Sequence, residues 1–292
     1  MVPQYVTGRG ATTEGIQLFD IATKKYSKME IANDPKPDWG DPSCPGPIGG
    51  ALVGHGTSLI KRRGGALAYY VVNHGGRQSI EMFELKKASP WSLIWRGCVP
   101  TQAEFNDVAA LPDGSFIATH PTILRTPGAQ GNIFNGQPSG YVIRWAAGKG
   151  ETELPGTRGA YPNGVVVDAS QRYMYFNIFA SREIHKYDLK AQKDVGKVAV
   201  DFMPDNLTWT AKKQLLGAGV KGANGECPAG SGQLCIQGFG IAQIDPASMK
   251  ATTVFDSNGK GAIIGGVSVA FEAGKSIYIG AFQGDRLVRI PR

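Results

Sequence analysis

Four polar side chains recur at one place in a repeated phrase of this sequence, and their types suit metal binding and proton transfer. The phrase is one polar or very small residue, then mostly alternating small and apolar residues, then a turn. Its copies begin at His55, Asn106, Asn163, Asn206 and Gly266. Amide oxygens are ligands that hard cations prefer, calcium above all. An imidazole beside them could act as a general base on water, because its pKa lies near working pH.

Further residues with useful chemistry flank these positions. Asp205 precedes Asn206 and adds a carboxylate to the ligand set. His74 ends the strand that follows His55, so both rings are expected at the same end of one blade. His120 ends the corresponding strand of the next repeat and is expected to border the same cavity. The competing interpretation is that each asparagine only closes a turn and that each histidine is a hydrogen-bonded structural residue.

The spacing of these phrases predicts a β-propeller. They begin roughly 43 to 60 residues apart, and a second apolar strand follows each turn, which suits four-stranded blades with long loops better than a solenoid. The first strand of every propeller blade lines the central channel, so we expect these side chains to converge there. We therefore expect an all-β fold, a six-bladed β-propeller with four-stranded blades, over residues 1–292 as one domain.

The N-terminal segment predicts that the first blade is incomplete. Residues 1–31 contain two alternating strands around the turn ATKK, and no inner strand precedes them. The last blade ends with RLVRIPR as its third strand. Its outer strand is expected from the N-terminus, where only Met1 to Gln4 are available, so closure of the propeller is expected to be imperfect.

Composition and charge exclude several function classes. The 40 glycines and 18 prolines are spread along the chain, as many short strands with tight turns require. The net charge of +7 comes from scattered basic residues without interleaved stacking aromatics, so we expect no nucleic-acid partner. No apolar run approaches the roughly 18 residues of a membrane helix, so we expect no membrane span. The sequence has no GxSxG elbow, P-loop or HExxH motif, and it leaves the oligomeric state open.

The four cysteines have no metal-ligand spacing. Cys227 and Cys235 flank the insertion ECPAGSGQLC and could close it as a disulfide loop, and Cys44 and Cys98 border the second blade and could form another bridge. An even count in loops favours an oxidising compartment, so we expect a periplasmic or secreted protein. Four reduced thiols in a cytosolic protein are the alternative, and the sequence shows no signal peptide.

Five phrases occur in an order that is more specific than any one of them: VVNHGGRQSIEMFEL, FNDVAALPDGSFIATH, YPNGVVVDASQRYMYFNIFASREIHKYDL, PDNLTWTAKKQLLGAG and GGVSVAFEAGKSIYIGAF. Together they resemble the paraoxonase/arylesterase family and, more broadly, the senescence-marker-protein/gluconolactonase superfamily of six-bladed propellers. The resemblance covers about residues 16–291. It implies calcium-dependent hydrolysis of lactones and esters, with the catalytic calcium in the channel.

The resemblance also implies roles for single residues. It assigns the catalytic calcium to Asn106, Asn163, Asp205 and Asn206, a second, structural calcium to Asp107, and the catalytic histidine to His74. Two features depart from the family. Its glutamate ligand in the first blade would lie before Met1, and the partner histidine of the paraoxonase dyad has no clear match. By its place in the repeat, His55 is the candidate for that partner.

These observations lead to one main hypothesis and two alternatives. We expect a lactonase or arylesterase in which calcium polarises the carbonyl and His74 or His55 activates water. His120, Phe179 and Phe282 are the expected substrate-binding residues, and the aromatic rings either contact an apolar substrate or pack in the rim. The alternatives are a propeller that binds a small molecule or partner without turnover, and a non-hydrolytic enzyme like the strictosidine synthases.

Overall fold

The structure is a computed structural model, and it describes residues 2–3, 15–49, 52–87, 90–121, 136–222, 238–257, 264–282 and 286–292. These residues form β-strands joined by turns, without an α-helix among them. The chain divides into two compact units. The first comprises Met1–Ala118 and Ile143–Glu153, and the second comprises Thr119–Val142 and Leu154–Arg292.

Two sheets lie wholly within the first unit. The first is three-stranded, in the order β1 (Val2–Pro3), β2 (Ile16–Asp20) and β3 (Lys25–Lys28). The second contains β4 (Glu30–Asn33), β5 (Gly54–Lys61), β6 (Leu67–Asn73), β7 (Ser79–Lys86) and β8 (Ser92–Pro100) in the order β4-β8-β7-β6-β5. All pairs are antiparallel except β4 with β8, which is parallel.

Four more sheets follow in chain order. The first is β9 (Val108–Ala110), β10 (Phe116–His120), β11 (Tyr141–Ala146) and β12 (Gly150–Glu153). The next is β13 (Pro162–Val167), β14 (Tyr173–Ile178), β15 (Glu183–Asp188) and β16 (Lys193–Ala199). Then come β17 (Met203–Trp209), β18 (Leu215–Lys221), β19 (Gly238–Asp245) and β20 (Lys250–Asp256), and finally β21 (Val267–Ala273), β22 (Ser276–Ala281) and β23 (Val288–Pro291).

The all-β class is confirmed, and the predicted count of six four-stranded blades is corrected. Among the residues that the structure describes, five sheets carry the repeat, from the one that contains β5 to the one that contains β21. The N-terminal sheet is not a full blade, because among the described residues its third strand is only the two-residue β1. The sheet of β5 has a fifth strand, since β4 pairs with the outer edge of β8 and satisfies backbone groups that an edge strand leaves open. The assignment of residues 1–292 to one domain stays a prediction.

The middle strands of the sheets build the cores. β6, β7, β14 and β18 are buried along almost their whole length, whereas the outer strands β16 and β20 are mostly exposed. In the first unit a core cluster includes Tyr69, Val71, Phe83 and Trp95. This pattern makes each second strand a rigid neighbour for the strand that opens the repeat, which is where the polar residues lie.

A disulfide joins Cys44 to Cys98 at the end of β8, with a Cα–Cα distance of 5.4 Å. This pairing is one of those that the sequence allowed, and it is confirmed. The predicted Cys227–Cys235 bridge lies outside the described residues. Among the residues that the structure describes, no helix is long and apolar enough to cross a membrane.

Candidate functional site

The strands that open the repeats are irregular at their polar residues. The pairing register of β5 shifts at His55, that of β13 shifts at Asn163, and that of β17 shifts at Asp205. A β-bulge of this kind re-aims a side chain out of the regular alternation of a strand, and such bulges are common beside active sites. His55, Asn163 and Asp205 therefore share a local backbone irregularity that a regular strand would not give them.

In the first unit, His55 and His74 form a hydrogen-bonded pair. Nδ1 of His55 lies 3.1 Å from Nε2 of His74, and the two ring centroids are 5.2 Å apart. Antiparallel pairing of β5 with β6 produces this proximity, because the beginning of one strand lies beside the end of the other. Nδ1 of His74 lies 2.6 Å from Oε1 of Gln78 on its other side. The two histidines that the sequence offered as alternatives are thus adjacent.

Burial keeps the His55 ring neutral. Loss of solvent, with the nearby His74 ring as a second cause, lowers the pKa of His55 from 6.5 to about 3. Removing an imidazole from water penalises its charged form, which explains the direction of the shift. A neutral imidazole has one ring nitrogen with a lone pair, so His55 carries one hydrogen-bond acceptor at neutral pH.

Buried hydrogen bonds fix the loop that follows β6 and carries His74. Asn73, which is fully buried, accepts a bond from the Gly75 amide and donates to the carbonyl oxygens of Gly75 and Arg77. The Arg77 guanidinium in turn pairs with the buried Glu81 carboxylate at 2.8 Å, and the Trp95 indole donates to the other oxygen of Glu81 at 2.7 Å. Because a buried network of this kind is rigid when every member is satisfied, these bonds restrain the loop that carries His74.

Asn106 and Asp107 lie against the backbone of the residue after His55. The Gly56 amide donates to the Asn106 carbonyl at 3.0 Å. A Cβ atom on Gly56 would lie 2.4 Å from Cα of Asp107, so a side chain cannot be accommodated there without movement of the backbone. Both Asn106 and Asp107 are buried. The structure therefore brings two of the predicted metal ligands next to β5, the strand that carries His55.

The second unit repeats this arrangement. A Cβ atom on Gly164 would lie 2.4 Å from the Asp205 carbonyl oxygen and 2.6 Å from Cα of Asn206. Only glycine permits this approach, so the residue after Asn163 packs directly on the Asp205–Asn206 pair. The side-chain amide nitrogen of Asn206 donates to Oδ1 of Asp205 at 3.2 Å. Three of the predicted calcium ligands are thus held by neighbouring strands of one unit.

Two buried amide oxygens in this region have no hydrogen-bond partner among the described residues. One is Oδ1 of Asn163. The other is Oδ1 of Asn177 in β14. The side-chain amide nitrogen of Asn177 donates to the backbone carbonyl of Asp205 at 2.6 Å. Asn177 is not predicted from the sequence, because a single polar residue inside a second strand carries no repeat signal. Its place opposite Asn163, in paired strands, is the signal that could have found it.

These oxygens fit a hard cation. A buried acceptor without a partner costs about 1–3 kcal/mol, and a cation bound by its oxygen would remove that cost. Amide and carboxylate oxygens are the donors that calcium prefers, and Asn163, Asn177, Asp205 and Asn206 offer both. Within the described part of the chain, no group of three or more His, Cys, Asp or Glu side chains could hold a metal ion. A cation here would therefore depend on asparagine.

The predicted substrate-binding residues lie in two surroundings, one around His120 and one shared by Phe179 and Phe282. His120 at the end of β10 contacts the Tyr141 ring, with centroids 5.1 Å apart, and the Arg158 guanidinium lies 5.1 Å from the same ring. Phe179 is buried with Met203 and Val220. Their roles toward a substrate stay predictions.

An apolar cluster adjoins the asparagines of the second unit. Tyr161 and Phe282 pack against the buried Phe179, Met203 and Val220. Tyr161 has a φ of 67°, which is strained for a bulky residue and is found disproportionately at functional sites. It lies two residues before the asparagine of β13, so the aromatic surface begins beside the oxygens described above.

Comparison with known proteins gives a family and a fold. A family model described as the SMP-30/Gluconolactonase/LRE-like region matches residues 13–223. A search of curated protein sequences returns no match. Among solved structures, a chain of the nidogen/laminin complex matches with a TM-score of 0.52 and 13% identity, over 83% of this chain and 77% of that one. The β-propeller domain of Cps50 (Swd1) from Myceliophteria thermophila matches with a TM-score of 0.50 and 13% identity, over 81% and 69%.

Two further matches show how much of the length of a matched protein this chain covers. The periplasmic gluconolactonase of Pseudomonas aeruginosa matches over 94% of this chain and 72% of that one, with 13% identity and a TM-score of 0.49, too low to support an inference. The chain spans 55% of the matched hydrazine synthase chain of Kuenenia stuttgartiensis, with 16% identity and a TM-score of 0.46. At these identities the likenesses establish a β-propeller fold alone.

Proposed function

This chain belongs to the SMP-30/gluconolactonase/LRE-like family, and from that premise we propose that it hydrolyses lactones or related carboxylic esters. The observation that carries the proposal is the hydrogen-bonded pair of His55 and His74, in which burial lowers the pKa of His55. A histidine that is neutral and held in place is the group most often used to take a proton from water during acyl hydrolysis. The proposed partner is a small lactone or ester, of arylesterase type where the leaving group is a phenol.

The proposed reaction uses the histidine pair as a temporary acceptor of one proton. The imidazole pair accepts a proton from water while the water oxygen bonds to the acyl carbon of the substrate. The carbon–oxygen bond of the lactone or ester then breaks, and the leaving oxygen takes the proton back from the imidazolium. The product is a hydroxy acid, or an acid and an alcohol, and the pair returns to its neutral state. Because burial opposes a lasting positive charge on His55, the return of the proton is favourable.

Calcium is the cofactor that we propose for this protein. Asn163, Asp205 and Asn206 would hold it, with Asn177 beside them, and the sequence repeat adds Asn106. The family resemblance assigns a second, structural calcium to Asp107. When bound, the cation would supply positive charge that draws electron density from the acyl oxygen.

The apolar cluster around Phe179 supports a substrate with an apolar body, which Phe282 and His120 are proposed to contact. The Cys44–Cys98 disulfide supports a periplasmic or secreted protein, because structural disulfides persist in oxidising compartments.

A panel of lactones and phenyl esters, with the released acid followed by pH-stat, tests the proposal. We expect turnover that EDTA abolishes and calcium restores. His55→Ala and His74→Ala should each lower kcat by about a hundredfold or more, the usual contribution of a general base. His185→Ala is the matched control, because that ring pairs with Glu183 and Asp194 elsewhere in the second unit. Turnover that survives EDTA and both substitutions would refute the mechanism, and binding without any turnover would favour a ligand-binding propeller.

A further inference from the structure

The hydrogen bonds around the histidine pair have a defined direction, and Gln78 sets it. Oε1 of Gln78 is an oxygen and can only accept, so Nδ1 of His74, 2.6 Å away, carries a proton. When the ring carries a single N–H, at Nδ1, the lone pair of His74 is on Nε2. That nitrogen faces Nδ1 of His55 at 3.1 Å and accepts its proton. The lone pair of His55 is therefore on Nε2.

We propose that Gln78 is a positioning residue that selects the tautomer of His74 and, through it, makes Nε2 of His55 the proton-accepting atom. The proposal rests on the proposed hydrolytic function for its kinetic consequence and on geometry alone for the tautomers. Without an acceptor at Nδ1, His74 is free to carry its proton on Nε2 and to donate to His55. Nδ1 of His55 would then accept the hydrogen bond from His74 with its lone pair. Nε2 of His55 would carry the proton and could not accept one from water.

The position of Gln78 is built into the fold. It follows Arg77, whose ion pair with the buried Glu81 anchors the loop on β7. Its own carbonyl oxygen accepts a bond from the Thr101 amide at 3.1 Å, just beyond the end of β8. The preceding residue and the backbone of Gln78 itself are thus tied to the sheet, so the side chain of Gln78 needs little ordering to reach His74. Such partners of a reactive histidine fix its tautomer and its orientation.

The tautomers can be read directly by NMR of protein labelled with ¹⁵N in its histidine rings, without any substrate. In the wild-type protein we expect Nδ1 to be protonated and Nε2 to be unprotonated in both rings of the pair. Gln78→Leu removes the acceptor at nearly constant size, and we expect the His74 signals to move to the other tautomer or to an average of the two. Gln78→Glu keeps an acceptor, and we expect the wild-type assignment. The exposed Gln102→Leu is the matched control and should change nothing.

Kinetics supplies the second reading. With a lactone that the wild-type protein hydrolyses, Gln78→Leu should lower kcat roughly tenfold to a hundredfold with little change in KM, and Gln78→Glu should restore most of kcat. A wild-type spectrum with Nε2 of His74 protonated overturns the proposal, and so does a folded Gln78→Leu protein with wild-type tautomers. The wild-type spectrum decides the matter even where Gln78→Leu does not fold. A protein without hydrolytic activity but with the expected tautomers would refute the proposed function and leave the role of Gln78 intact.

Discussion

Replacing His55 should remove a specific pH dependence from the stability of the protein. Burial lowers the pKa of His55 to about 3 in the folded protein, whereas the unfolded chain has the ordinary value near 6.5. Between these values the unfolded chain binds a proton at this position and the folded chain does not. The free energy of unfolding therefore falls as the pH falls from 6.5 towards 3, and it is unaffected by this residue above about pH 7.

The size of the effect follows from the two pKa values. Each pH unit below 6.5 costs about 1.4 kcal/mol, so the change between pH 7 and pH 5 is about 2 kcal/mol. His55→Gln is the suitable variant, because glutamine stays neutral and keeps a hydrogen-bonding group beside His74. We expect the free energy of unfolding of the wild-type protein to fall by about 2 kcal/mol more than that of the variant between these pH values.

Guanidinium-induced unfolding, followed by tryptophan fluorescence at pH 7 and pH 5, measures this difference. Other titrating groups contribute equally to both proteins and cancel in the comparison. The matched control is His185→Gln, which removes a histidine that lies outside the pair. Curves for wild-type protein and His55→Gln that shift in parallel with pH would refute the reasoning, since they would mean that His55 titrates alike in the folded and unfolded states.

Three further predictions concern the Cys44–Cys98 disulfide, the two buried asparagines and Gly164. Cys44→Ala opens a loop of sequence separation 54 and should lower the free energy of unfolding by about 4 kcal/mol, whereas under reducing conditions wild-type protein and variant should unfold alike. Asn163→Ala and Asn177→Ala should each weaken calcium binding at least about tenfold in isothermal titration, and unchanged affinity in both would contradict the fit of their buried oxygens to a cation. Gly164→Ala should destabilise the protein by about 1–3 kcal/mol in thermal unfolding, because its Cβ would lie 2.4 Å from the Asp205 carbonyl oxygen, and a neutral result would show that the two strands can separate freely.

The sequence predicted those features that repeat. Alternation along each strand predicted the all-β class, and the shared place of His55 and Asn163 in the repeat marks two strands that both prove irregular at these residues. The proximity of His55 and His74 followed from one hairpin, because antiparallel pairing fixes which residues meet. Cys44 and Cys98 could be paired as neighbours of one blade, and the structure confirms this bridge.

Features that depend on single loops or on edges could not be predicted in this way. Gln78 lies four residues beyond His74 in an irregular loop, and only the particular hydrogen bonds of that loop turn its oxygen to the ring. In the sequence Asn177 is an ordinary strand residue, and only the pairing of β14 with β13 shows that it lies beside Asn163. The parallel addition of β4 to β8 joins segments that are far apart in the chain, and neither carries a sequence signal for the other.

One dipeptide pattern occurs in both units of the chain. His55–Gly56 and Asn163–Gly164 each place a residue without a side chain directly after the polar one. The glycine lets the backbone of the next repeat approach to within 2.4 Å of where a Cβ would lie, and this brings the following polar residues, Asp107 in one case and Asp205 in the other, against the same strand. The bulge that orients one polar side chain and the glycine that allows the next repeat to approach thus occur at the same two-residue position of the strand. Substituting either glycine should therefore disturb the polar residues of two repeats together, whereas substituting a polar residue should disturb only its own contacts.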